Sequence, residues 1–152
     1  MLEFKYIFGE NGYKIAEATR KSVFGDELGM SEIRDGLDGK SYHFVGYDKI
    51  TQIAAARLTQ LDEKNFMISY VGIKKDYRRQ YVGDLVMRAL ADKTVTMGGT
   101  TITIQTPVSE KGFFEFEGYE TVGEEFEAGG RIYIKMQKDL TKIQSSCRGC
   151  AK

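Results

Sequence analysis

The residues of this chain best equipped for chemistry lie in one stretch, "ISYVGIKKDYRRQYVGDLVMRAL", from Ile68 to Leu90. A strand-like apolar run ends at Ile73, basic residues follow, and Arg78, Arg79 and Gln80 come just before Gly83, where helical periodicity begins. The start of a helix offers unpaired N–H groups and the positive end of the helix dipole. Glycine lets the backbone approach a ligand closely, and arginines add charge-assisted hydrogen bonds. These residue types in this order suit an anion, above all a pyrophosphate. The competing reading is a solvated basic stretch ahead of an ordinary helix.

Other reactive groups are sparse. His43 is the only histidine and sits in a strand-like run, where it is either a base facing a pocket or a hydrogen-bonded structural residue. Tyr70, near the end of the apolar run, is either a group that polarises water or donates a proton, or a half-buried strand tyrosine. Asp26 and Glu27 either draw a cationic group to the entrance of a site or form a solvated loop. Cys147 and Cys150 stand in "CRGC" at the end of the chain. That spacing fits half a zinc site or a redox pair, but His43 is the only other soft ligand, so no metal site is expected within one monomer and a reduced tail is preferred.

These groups need a scaffold, and the pattern supplies one. "LEFKYIF" reads as a strand, followed by a helix from Gly12 to about Phe24 with Ile15, Ala16, Val23 and Phe24 buried. A polar, glycine-containing stretch leads to "SYHFVGYD", "ITQIAAARLTQL" and "NFMISYVGI", three runs with short polar breaks that suggest an antiparallel meander. A helix with Val82, Val86, Ala89, Leu90 and Met97 at helical spacing then stops at Gly98 and Gly99. "TTITIQT" is the next strand, ended by Pro107. Ser109 is a candidate cap for a short helix "EKGFFEFE", and "RIYIKMQK" is the last strand. The expectation is an α/β (α+β) fold with a mixed central sheet of about six or seven strands flanked by helices. One domain over residues 1–142 and a flexible tail over 143–152 are expected.

With 152 residues, 41% of them hydrophobic, the chain has material for one real core. Lys plus Arg equals Asp plus Glu at 22 each, so no global basic field draws it to nucleic acid or anionic membranes. The N-terminus carries Glu3 and Lys5 without a long apolar run, so neither a signal peptide nor a membrane span is expected, and a cytoplasmic location is.

The run "VGIKKDYRRQYVGDLV" resembles the acetyl-CoA motif of the GNAT superfamily of N-acetyltransferases, a pattern of Arg or Gln, two residues, Gly or Ala, one residue and Gly after a strand. Arg78, Arg79, Gln80, Tyr81, Val82 and Gly83 fill it, with Tyr81 in place of the first glycine. "GFFEFEGY", from Gly112 to Tyr119, is similar to the family's "FYEKLGF" segment, whose tyrosine often protonates the departing thiolate; here Phe113 and Phe114 stand there, and Phe114 has no proton to give. "RKSVFGDELG", from Arg20 to Gly29, is similar to a segment of the ElaA-like small bacterial subgroup, with Asp38, His43, Asp48, Ala56 to Leu58 and Gln105 in matching order.

The resemblance implies a GNAT-like fold and acetyl-CoA as cosubstrate, held by Val71, Ile73, Arg78, Arg79, Gln80, Tyr81, Val82, Gly83, Asp84 and Phe113. Its pantetheine would pair with the backbone of Val71 and Ile73, in the notch where the strand ending "YVGI" parts from "TITIQT". The N–H near Val71 would stabilise charge on the thioester oxygen. It implies transfer to a primary amine, on a small molecule or a protein, by direct attack in a ternary complex, with Tyr70 and His43 as catalytic candidates and a homodimer left open. Phe114 motivates an alternative, a non-catalytic acyl-CoA-binding sensor or regulatory module. A generic nucleotide-binding loop is disfavoured because neither GxxxxGK[ST] nor GxGxxG occurs.

Overall fold

The computed structural model of the chain describes residues 2–141. Cys147, Cys150 and the tail expected over 143–152 lie outside the described residues. The elements follow in the order β1 (Leu2–Phe8), α1 (Glu10–Arg20), β2 (Ser41–Asp48), β3 (Thr51–Gln60), β4 (Asn65–Ile73), α2 (Val82–Thr96), β5 (Thr101–Pro107), α3 (Lys111–Phe116), β6 (Glu120–Thr121), β7 (Phe126–Ala128) and β8 (Arg131–Asp139). α1 runs on into a π-helical stretch, Lys21–Glu27, and 3-10 turns occupy Asp38–Lys40, Lys75–Tyr77 and Val108–Glu110. By contact the described residues form two units, 2–60 with 68–90, and 61–67 with 91–141.

In the first unit the strand order is β1-β2-β3-β4. β1 and β2 are antiparallel from Leu2 opposite Asp48 to Phe8 opposite Tyr42, and β2 and β3 from Ser41 opposite Thr59 to Asp48 opposite Thr51. Lys49 enters the two-residue turn between β2 and β3 with φ 59°, the left-handed conformation such hairpins favour. The run of alanines in "IAAARLT" has a structural reason. Ile53 to Thr59 are buried without alternation, so both faces of β3 are covered, and small side chains let its neighbours come close. α1 lies against β2 and β3 through Ala16, which packs with Val45 and Ala55, and Ile7 and Tyr47 close the edge of that cluster. Gly12 is required for this approach, since a Cβ there would stand 2.2 Å from the Ile7 carbonyl oxygen and 2.8 Å from Cδ2 of His43.

Ala16 and Val23 are buried as the periodicity suggests, but Ile15 is exposed and Phe24 only half-buried. One residue along a helix is a rotation of about 100°, so Ala16 and Ile15 cannot share the inner face. The helix expected to reach Phe24 keeps α-geometry only to Arg20.

In the second unit β5 and β8 are antiparallel, from Thr101 opposite Asp139 to Pro107 opposite Tyr133. β6 and β7 both pair with β8. Ile102, Ile104, Ile134, Met136, Leu140, Phe66, Phe114 and Tyr119 are its buried apolar residues. Gly98, at φ 87°, and Gly99 end α2 as expected, their N–H groups donating to Val95 O at 2.9 Å and Thr94 O at 2.8 Å. Ser109 lies in a 3-10 turn, and no side chain caps α3, whose N-terminal flanking residue is Glu110. Among the described residues the sheet strands number eight rather than six or seven, because Glu120–Thr121 forms β6 and Phe126–Ala128 forms β7. Both are short and wholly exposed, so neither carries an apolar alternation to announce it. Among the described residues no helix is long and apolar enough to cross a membrane.

Candidate active site

Tyr70, Val71, Gly72 and Ile73 form the end of β4, and the backbone there is unusual. Tyr70 has φ 52°, the left-handed region, in the middle of a strand. For a residue with a bulky side chain this costs on the order of 1–2 kcal/mol and persists only where the surroundings impose it. A left-handed residue breaks the pleat, so the Val71 N–H leaves the direction it would take in a regular ladder. Two residues on, Gly72 admits the π-helical stretch: a Cβ there would lie 3.2 Å from Cε2 of Phe24 and 3.3 Å from Cβ of Val23. Phe24 also meets the Tyr70 ring edge-on, with centroids 5.7 Å apart.

The guanidinium groups of Arg20 and Arg57 pack on the Tyr70 ring, their Cζ atoms 4.2 Å and 5.0 Å from its centroid. Both arginines are 1% exposed, so both need carboxylates. Arg20 donates through Nη2 to Asp38 Oδ1 at 2.8 Å and through Nη1 to the Ile33 carbonyl at 3.0 Å. Arg57 donates to both Asp35 oxygens, at 2.5 Å and 3.1 Å, and to Asp38 Oδ1 at 3.3 Å. Burial works to raise the pKa of Asp35 and Asp38, but hydrogen bonds and positive charge from Arg57 and Arg20 respectively prevail and hold both below the ordinary carboxylate value. The Tyr70 phenol is raised by burial and by Asp35, against Arg57 and Arg20, so it keeps its proton at neutral pH.

His43 belongs to the same cluster and is fully buried. Its Nε2 lies 2.9 Å from the Asp38 carbonyl, which only accepts, so Nε2 carries the proton and Nδ1 presents its lone pair to Arg20 Nη2 at 3.4 Å. Burial first, and Arg20 and Arg57 with it, lower its pKa. Protonating Nδ1 would place a second positive charge against a guanidinium.

The basic stretch is held quite differently. Tyr77 donates from Oη to Asp48 Oδ2 at 2.8 Å and the Lys74 N–H to Ile53 O at 2.8 Å, which fixes the turn after β4 to the end of β2 and to β3. Arg78 donates from Nε to the Ile73 carbonyl at 2.8 Å and from Nη2 to Glu27 Oε1 at 2.7 Å, so Glu27 is tied to this loop, while Asp26 is exposed. Gln80 donates back to the Asp76 carbonyl at 2.9 Å. Arg79 and Tyr81 are left-handed, at φ 61° and 65°, both are exposed, and Tyr81 turns its side chain to solvent at 81% exposure. The Tyr81 carbonyl accepts from the Leu85 N–H at 3.0 Å, so α2 is hydrogen-bonded from its first turn and the N–H groups of Val82, Gly83 and Asp84 precede its first intrahelical donor. Val82 is buried, Gly83 is half-buried, and Asp84 pairs with Arg88 at 3.1 Å. A loop that turns twice through left-handed residues and ends on a helix start, with Arg79 at its surface, has the form of an anion-binding site.

The structure thus brings Tyr70, Val71, Ile73, Glu27 and Arg78 to Asp84 into one unit, with His43 reached through Arg20. Phe113 and Phe114 lie on α3 in the second unit, where Phe114 is buried with its ring against Phe113 at 5.0 Å and Tyr119 at 5.9 Å. Sequence reasoning missed Arg57 and Asp35 as partners and the role of Arg20. Two arginines in predicted regular elements and two aspartates in "IRDGLDGK" were the available signal, but nothing in their spacing pairs them.

A strand end with a left-handed residue, a basic loop and a glycine-bearing helix start thus lie together in the first unit of a mixed α/β fold. Residues 13–140 match the acetyltransferase (GNAT) domain, and the chain belongs to that family. A Bacillus subtilis (strain 168) protein named as an acetyltransferase is 26% identical over 142 residues, covering 90% of this chain and 96% of the relative. The fold is similar to that of Escherichia coli ElaA, with a TM-score of 0.81 and 20% identity over 91% of this chain and 100% of that one. It is also similar to a GNAT family acetyltransferase of Elizabethkingia anophelis solved with acetyl-CoA bound, with a TM-score of 0.69 and 11% identity over 91% of this chain and 97% of that one.

Proposed function

We propose that the protein transfers the acetyl group of acetyl-CoA to a primary amine by direct attack in a ternary complex. The observation that carries this reading is the left-handed Tyr70, which breaks β4 directly before Val71 and lies in one unit with the Arg78 to Gly83 loop. When bound, the cosubstrate supplies an activated thioester. The helix start at Val82 to Asp84 and the side chain of Arg79 hold its pyrophosphate, and Arg78 joins them by exchanging Glu27 for phosphate. Backbone groups of Val71 and Ile73 pair with the pantetheine arm as an added strand would. The Val71 N–H donates to the thioester oxygen as negative charge develops there.

Proton transfer falls to Tyr70, since Phe114 has no donor and both nitrogens of His43 are engaged. As a neutral phenol Tyr70 donates its proton to the departing thiolate and regains one from the attacking amine through water, so that the amine nitrogen ends as a neutral amide and the coenzyme as a thiol. A thiolate, with an ordinary thiol pKa of about 8.5, leaves tolerably near neutral pH, so a weak acid is enough. We assign His43 to positioning within the cluster of Arg20 and Asp38. Release of coenzyme A from acetyl-CoA, measured with and without a panel of small amines and amine-bearing peptides, tests the reading. Amine-dependent release supports it; saturable binding without release by any amine would instead support the acyl-CoA sensor that Phe114 motivates.

A further inference from the structure

We infer that Arg20 and Arg57 are positioning residues for acyl transfer, acting as a buried clamp that holds Tyr70 in its left-handed conformation and so aims the Val71 N–H. The inference rests on the acetyltransferase reading for its kinetic consequence, though not for its structural one. Among the described residues only four that are not glycine have positive φ, and Tyr70 is the one within a strand. Such a conformation must be imposed from outside, because nothing in a regular ladder favours it. The Tyr70 ring is confined by the guanidinium groups of Arg20 and Arg57 and by the edge of Phe24. The arginines are themselves buried and hydrogen-bonded. Arg20 is fixed by Asp38 and the Ile33 carbonyl, and Arg57 by both oxygens of Asp35.

Stability alone is a poor reason for such a cluster. Buried ion pairs are often matched or bettered by apolar residues of the same volume, and here Nε of Arg57 is buried with no hydrogen-bond partner among the described residues. Two cations turned toward one aromatic ring, at the point where the strand is broken, are explained by the break they enforce. Asp35 and Asp38 then have a defined task, which is to keep both guanidinium groups in register with the ring.

The test is a cycle of variants read in two ways. Arg20→Lys keeps the charge and removes the planar contact, and Phe24→Leu removes the ring edge. The HN–Hα coupling and carbon shifts of residue 70, with the Val71 amide position, report the backbone by NMR without any ligand. The expected result is that Arg20→Lys and Phe24→Leu each move residue 70 away from left-handed φ and lower turnover roughly 10- to 100-fold at little change in KM for acetyl-CoA. The double variant should cost less than the product of the two single losses, because both act through the one conformation of residue 70. The inference is overturned if both variants leave the residue 70 and Val71 signals in place, or if their turnover losses multiply in the double variant. Should Arg20→Lys not fold, Phe24→Leu, at a half-buried position, decides the question. Absence of transfer by the wild-type chain with every amine would sink the functional reading, and the NMR comparison would still rule on the clamp.

Discussion

Arg20 and Arg57 are closed off from solvent, while Arg78 and Arg79, on the same unit, stand in it or at its edge. The buried pair is neutralised by Asp35 and Asp38 and carries four charge-assisted contacts to them and one to the Ile33 carbonyl. Arg78 is linked to one half-exposed carboxylate, Glu27, and to the Ile73 carbonyl. The difference separates two tasks for one residue type. A guanidinium that must recognise an anion arriving from solution has to be accessible and lightly tied. One that has lost its hydration is committed to its carboxylates and serves as a rigid part.

The largest expected effect tests the buried side. Asp38→Ala leaves Arg20 and part of Arg57 unpaired, and chemical denaturation should show a loss of about 3–5 kcal/mol. A loss below about 1 kcal/mol would mean that the cluster relaxes to water and that the contrast is false. Glu10→Ala, which removes the exposed partner of Arg34, supplies the control and should leave the denaturation curve essentially unchanged.

Acid should find the same cluster. His43, Asp35 and Asp38 all have folded pKa values below their ordinary ones, so each contributes stability above the unfolded value that is lost as pH falls through the folded one. Unfolding free energy should decline in two windows, the first beginning near 6.5 from His43 and the second near 3.8 from the aspartates. His43→Asn should erase the first decline and spare the second. A curve that is flat down to the carboxylate range in the wild-type chain would contradict the assignment of a neutral, buried imidazole.

On the exposed side the effects should appear in binding and spare the fold. Arg79→Ala should weaken acetyl-CoA about tenfold by calorimetry, and the loss should shrink as salt is raised. Arg78→Ala should cost less, since Arg78 must give up Glu27 to reach a phosphate. Unfolding midpoints of both variants should stay with the wild type.

The two regions also differ in how much of them was legible in sequence. The basic loop could be read because its requirements are local: a strand end, arginines, a glycine and a helical period are adjacent along the chain. The meander was legible for the same reason, and "SYHFVGYD" and "NFMISYVGI" coincide with β2 and β4. The clamp was not, because Arg20, Asp35, Asp38 and Arg57 come from a helix, a loop, a 3-10 turn and a strand, and only the fold joins them. Nothing in "ISYVGI" announces a left-handed tyrosine, since the cause of that φ lies in side chains 13 or more positions away. The π-helical stretch was likewise invisible, since Val23 and Phe24 approach Gly72 from almost fifty positions away and only the fold brings them there.

The most direct test of the account is calorimetric titration of acetyl-CoA into the wild-type protein and into Gly83→Glu, which sets bulk and a negative charge at the helix start. The account predicts saturable binding by the wild type, weakened at least about 100-fold by the substitution, with an unchanged unfolding midpoint. No binding by the wild type, or equal binding by both proteins, would contradict it.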